Sequence, residues 1–143
     1  MEPPAPPLTV LLLEDDDVIS TAVSAVVERC GASLLPPATS ASDALAAADR
    51  HLPSAVVVDL DLSGALGMRI VPAMLAASPR AAVIVISAYE RLRDKVLDAG
   101  AVAMFDPTDL RLLDACLRWV RSAPPTGGCP GDHRIGQRRL RSS

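Results

Sequence analysis

Aromatic residues are almost absent: of 143 residues only Tyr89, Phe105 and Trp119 qualify. That scarcity excludes a stacking platform for single-stranded nucleic acid. Half of the chain is nevertheless apolar, so the core is built from Ala, Val, Leu and Ile, and intrinsic disorder is excluded. Lysine occurs once, at Lys95, which leaves any lysine-dependent mechanism a single candidate. The cysteines, Cys30, Cys116 and Cys129, show no C-x-x-C spacing and have only His133 nearby. Neither a disulfide framework nor a zinc site is supported, and the thiols are read as reduced and structural. No apolar run approaches the ~20 uninterrupted residues of a membrane span. No basic segment followed by an apolar core opens the chain as an export signal. A cytoplasmic protein without membrane association is expected.

The length suits one domain, which at this size can bury roughly 68–70% of its unfolded surface. Charge is uneven. Residues 122–143 carry Arg134, Arg138, Arg139 and Arg141 against Asp132, a net of +3, so the rest of the chain holds −6 of the overall −3. An acidic globular part lacks the basic footprint that duplex DNA requires, and nucleic acid is not expected as a partner. Four prolines within residues 1–7 mark a flexible leader. Pro124, Pro125, Gly127, Gly128, Pro130 and Gly131 mark residues 122–143 as a disordered, Arg-containing tail. The domain is then 8–121.

Between these ends two periods alternate. Short apolar runs at Leu8–Leu13, Ala32–Leu35, Ala55–Val58, Ala82–Ile86 and Ala101–Phe105 suit strands buried on both faces. Helical stripes lie between them. Val18, Ile19, Ala22, Val23, Val26, Val27 and Cys30 form the first, ending at Gly31. Ala41, Ala44, Leu45 and Ala48 form the second, behind Ser40 as a candidate cap, and Ile70, Val71, Met74 and Leu75 the third, in which Pro72 either sits in the first turn or kinks the helix. Leu92, Val96 and Ala99 form the fourth, ending at Gly100. Leu110, Leu113, Leu117 and Val120 form the fifth, with Thr108 as candidate cap. A second stripe on that last helix, Leu112, Cys116 and Trp119, is displaced around the axis and is available for a partner or for self-association. Five strand–helix pairs in alternation predict a doubly wound parallel α/β sheet. In such folds chemistry gathers beyond the carboxyl ends of the strands.

Acidic residues stand at those ends. The first strand runs into Glu14-Asp15-Asp16-Asp17, and the third runs into Asp59-Leu60-Asp61. Asp16 or Asp17 has a structural reading as a helix cap; Glu14, Asp15 and Asp59 do not. Carboxylates gathered in one small volume raise each other's pKa unless a cation lies among them. An oxygen-only ligand set of this kind suits Mg²⁺. Asp61 is a solvated rim residue whose backbone carbonyl could be a further ligand. Ser87, at the end of the fourth strand, could supply a hydroxyl to the same rim.

On these residues the chain resembles the response-regulator receiver domain of two-component signalling, over about residues 8–121. LLLEDDDVI is similar to the family's first strand with its acidic pair, here Glu14 and Asp15. VVVDLDLSGALG is similar to the phosphoacceptor strand and loop. It sets Asp59 at the phosphoacceptor position, Asp61 at the position whose carbonyl binds metal, and Gly64 and Gly67 at the loop glycines. VIVISA matches the fourth strand with its hydroxyl residue, Ser87, and AGA at 99–101 matches the turn into the fifth. The resemblance implies a flavodoxin-like (βα)5 fold with strand order 2-1-3-4-5 and Mg²⁺ held by Glu14, Asp15, Asp59 and the Asp61 carbonyl. It further implies a phosphoryl group accepted on Asp59 from a histidine kinase or phosphotransfer protein, hydrogen-bonded by Ser87.

One departure stands out. The family closes its fifth strand with a lysine that grips the phosphoryl group, whereas this chain reads Ala103-Met104-Phe105-Asp106-Pro107-Thr108. The aromatic switch position falls on Met104, beside Phe105. Lys95, in the preceding helix, is a poor substitute, and Arg91 or Arg93 is an alternative source of the missing cation. The leading expectation is a stand-alone phosphorelay receiver, a signalling module and not an enzyme. It would act through a downstream protein partner, and as a homodimer if the last helix self-associates. Two alternatives stay open: a pseudo-receiver that binds partners without phosphorylation, and a haloacid dehalogenase-type phosphatase using Asp59 and Asp61 as its D-x-D pair.

Overall fold

The computed structural model describes residues 7–122. Within them the elements run β1 Thr9–Leu13, α1 Asp17–Arg29, β2 Ser33–Leu34, α2 Ala41–His51, β3 Ala55–Asp59, α3 Ile70–Ala77, β4 Ala82–Ile86, α4 Arg93–Asp98, β5 Ala103–Phe105 and α5 Leu113–Ser122. All neighbouring strands are parallel, in the order β2-β1-β3-β4-β5. The doubly wound, flavodoxin-like arrangement is therefore the one observed. Of the expected leader and tail, all but Pro7 and Ser122 lies outside the described residues, and Ser122 itself closes α5.

Strand side chains alternate between two cores because successive Cβ atoms point to opposite faces. Val10, Leu12, Val57, Ile84, Ile86 and Phe105 face one core, which α1 and α5 close with Val23, Val27, Leu113 and Leu117. Leu11, Leu13, Val56, Val58, Val83, Val85 and Met104 face the other, closed by α2, α3 and α4 with Ala44, Met74 and Val96. With both faces covered, the strands read as continuous apolar runs instead of alternating with polar residues. The stretch Leu60–Ala77 is long and apolar enough by composition to cross a membrane. It is two pieces, however, interrupted by non-helical backbone at Gly64 and Gly67, and Ile70, Val71 and Met74 of α3 lie in the core.

Local signals act as their chemistry dictates. Asp16 caps α1, its carboxylate accepting from the N–H groups of Val18 and Ile19 at 2.8 and 3.0 Å, and Ser40 caps α2 by accepting from Asp43. Three expectations are corrected. The second strand shrinks from Ala32–Leu35 to two residues. The thiol at Cys116 is disulfide-bonded, while Cys30 is free and buried. The last helix starts at Leu113, so Thr108 does not cap it and Leu110 lies in the turn before it. Leu113, Cys116, Leu117 and Val120 make one stripe at i, i+3, i+4 and i+7, and Cys116 is fully buried within it. Cys116 is therefore removed from the expected partner face. Trp119 packs partly against the same core, and Leu112 is exposed ahead of the helix.

Candidate functional site

β1 and β3 are adjacent, with Leu13 paired to Val58. The residues that follow, Glu14 and Asp15 on one strand and Asp59 on the other, are therefore delivered to the same rim. One carboxylate oxygen from each of the three lies within 4.8 Å of the other two. The side chains differ in setting: Glu14 is buried, Asp59 half-buried and Asp15 exposed. The three expected metal carboxylates are thus brought together.

Glu14 is the most constrained of them. Its Oε1 accepts from the N–H groups of Asp15 and Asp16, both at 3.0 Å, whereas Oε2 is buried with no hydrogen-bond partner. Ionised carboxylates only accept hydrogen bonds, so Glu14 and Asp59 cannot bond to each other directly unless they share a proton, and a cation between them is the other direct link. Burial, more than the neighbouring Asp59 charge, pushes the Glu14 carboxyl from 4.5 up to about 7. Burial likewise raises Asp59, against the lowering effect of the Asp61 N–H that donates to its Oδ1 at 2.9 Å. An orphaned buried oxygen among oxygen-only donors fits a hard divalent cation such as Mg²⁺.

Asp61 supplies that N–H to Asp59, and its own exposed side chain does not join the three clustered carboxylates. The chain then turns through 3-10 geometry to Arg69, passing Gly64 at φ +60°, ψ −132° and Gly67 at φ +53°, ψ −133°. That backbone region is effectively reserved for glycine, which explains both residues in the loop. Ser87 follows Ile86, the β4 partner of Asp59. Ser87 is buried, with its Oγ accepting from the Tyr89 N–H at 3.1 Å. Its hydroxyl therefore stands one residue beyond the acceptor's own row.

At the end of β5 the structure places Asp106, not a cation. Its carboxylate turns back to accept from the Thr108 hydroxyl and N–H, at 2.6 and 2.8 Å, and these bonds hold it below the usual carboxylate range. Lys95 is exposed on α4. Arg91 lies over the Tyr89 ring, 5.7 Å from its centroid. Arg93, which sequence reasoning offered to the phosphate, is instead buried and bonded to Glu90 and to the Met104 carbonyl. A signal for this existed, since Arg93 precedes the buried Val96 and Leu97 by three and four residues and so shares their face.

The family profile described as "Response regulator receiver domain" matches residues 10–114. No curated protein matches the chain at a significant level. Among solved structures, the chain is similar to a LuxR-family two-component response regulator from Aurantimonas, at 20% identity and a TM-score of 0.71, covering 96% of this chain and 100% of that one. A response regulator receiver domain protein from Clostridium thermocellum aligns at 18% identity and a TM-score of 0.69, covering 93% and 98%. The receiver domain of a sensor histidine kinase from Pseudomonas aeruginosa, described with a magnesium ion coordinated in its active site cleft, aligns at 22% identity. Its TM-score is 0.63, covering 82% of this chain and 100% of that one. At these identities the likeness is one of fold.

Proposed function

The chain belongs to the response regulator receiver domain family, and on that premise we propose that it is a phosphorelay receiver whose acceptor is Asp59. The observation that carries this reading is the meeting of Glu14, Asp15 and Asp59 around an orphaned buried oxygen. Glu14, Asp15 and Asp59, with the Asp61 carbonyl, would hold Mg²⁺, which when bound neutralises carboxylate and phosphoryl charge. An Asp59 carboxylate oxygen attacks the phosphorus of a donor phosphohistidine. The new O–P bond forms as the P–N bond breaks, and the departing imidazole nitrogen keeps the electron pair and takes up a proton. Ser87 donates its hydroxyl hydrogen to the transferred group.

In this reading the donor is a histidine kinase or phosphotransfer protein in the cytoplasm, and a downstream protein reads the domain's surface. The chain is then a signalling module and not an enzyme. Family membership sets aside the haloacid dehalogenase alternative. Exposed Leu112 and half-buried Trp119 remain a candidate contact face beside the last helix. Sedimentation of the wild type against L112A/W119A tests whether that face makes a homodimer; a monomer in both removes the homodimer from the reading.

The deciding experiment is labelling from a small phosphoramidate or acyl phosphate with Mg²⁺. Wild type takes up one phosphoryl group, Asp59→Asn takes up none, and Asp15→Ala weakens Mg²⁺ binding. Wild type that stays unlabelled over hours with Mg²⁺ bound refutes the acceptor reading and leaves the pseudo-receiver.

A further inference from the structure

Among the described residues one basic side chain is buried, Arg93, at 8% exposure. It stands at the first position of α4, a helix of six residues with no side-chain cap, preceded by a single 3-10 turn at Glu90–Leu92. A helix this short has little stability of its own. Its guanidinium compensates. Nε and Nη2 donate to the two Glu90 carboxylate oxygens at 2.6 and 2.9 Å, and Nη1 donates to the Met104 carbonyl at 2.7 Å. One side chain thus ties the 3-10 turn and the start of α4 to the middle of β5. Charge-assisted bonds of this length are about twice as strong as neutral ones, and although the Glu90 side chain is 59% exposed, the Arg93 end of the pair and its bond to the Met104 carbonyl are buried.

The other end of the segment is tied to the same strand. Ser87 donates its N–H to the Phe105 carbonyl at 3.0 Å, and its Oγ holds the Tyr89 N–H. Residues 87–93 are therefore bracketed against β5 at both ends, at the strand whose terminus carries Asp106 and no cation.

We propose that Arg93 is a latch that fixes the segment carrying Ser87 against β5 in the unmodified protein, and so holds the α4–β5 face in one arrangement whatever the state of Asp59. The second half of this statement rests on the reading of Asp59 as the acceptor. The latch itself does not.

Amide hydrogen exchange by NMR on the full chain tests the latch. Glu90→Gln removes the Glu90 charge but keeps Arg93 and its bond to Met104, so it preserves the fold where Arg93→Ala risks losing it; Arg93→Lys keeps the charge without the fork. Glu90→Gln is expected to speed exchange across residues 88–105 roughly tenfold, with β1 and β3 unchanged and Arg93→Lys following the same pattern. No change, or an equal rise throughout the sheet, overturns the proposal. With Mg²⁺ and a beryllium fluoride mimic of the phosphoryl group, wild-type shifts are expected to stop at Ser87, and those of Glu90→Gln to spread through 93–105. Wild-type shifts that already reach β5 overturn it as well. If neither protein shifts near Asp59, the acceptor reading fails, and the exchange result alone decides the latch.

Discussion

Replacing Glu14 with Gln in the metal-free protein should flatten the pH dependence of stability at the acidic rim. Glu14 binds its proton more tightly folded than unfolded, with its carboxyl raised from 4.5 to about 7. Stability from that proton is complete below pH 4.5 and is lost as pH climbs through about 7. At 1.36 kcal/mol for each power of ten in proton affinity, the full effect is about 3 kcal/mol. Solvent at the open rim screens it, leaving roughly 1.5 kcal/mol. Asp59 is raised as well and acts with the same sign, whereas Asp106 and Asp109 are lowered from 3.8 and act below this range. Urea unfolding between pH 4.5 and 8 in a chelator should therefore show wild type losing about 1.5 kcal/mol while the variant keeps only the slope that Asp59 contributes. The substituted amide can donate to Asp59 where the acid offered only a shared proton. Near pH 8 without metal the variant should then be the more stable protein. Mg²⁺ should restore wild type by binding the folded state, and restore the variant less. Parallel pH profiles for the two proteins would refute the assignment of the slope to this carboxyl.

Two backbone substitutions test the local geometry. Leu52 ends α2 at φ +47° while 63% exposed, so Leu52→Gly should stabilise by about 1 kcal/mol in urea melts, by relieving the left-handed conformation at little loss of buried surface. Gly100 has φ +122°, and an added Cβ would lie 2.6 Å from Leu75 Cδ1. Gly100→Ala should therefore cost about 1–3 kcal/mol, read as a lower thermal midpoint.

The apolar runs of β1, β3 and β4 were legible in the chain because strands covered on both faces need no polar alternation. The caps at Asp16 and Ser40 were legible because short oxygen side chains before an apolar stripe satisfy free N–H groups. The acidic rim was legible too: a strand that runs directly into carboxylates must deliver them at its carboxyl end. Tertiary structure decided the rest. Only the parallel pairing of β1 with β3 brings Glu14, Asp15 and Asp59 within 4.8 Å, and the burial that follows orphans Glu14 Oε2 and, with the Asp59 charge beside it, raises its carboxyl. Which side of α5 turns inward depended on how the helix docks on the sheet, which periodicity alone could not fix, and that docking put Cys116 in the core with Leu113 and Leu117. Arg93 reads in the sequence as an alternative source of the cation missing after β5. Its role was settled by the Met104 carbonyl of a strand eleven residues on, a distant acceptor that no local pattern specifies.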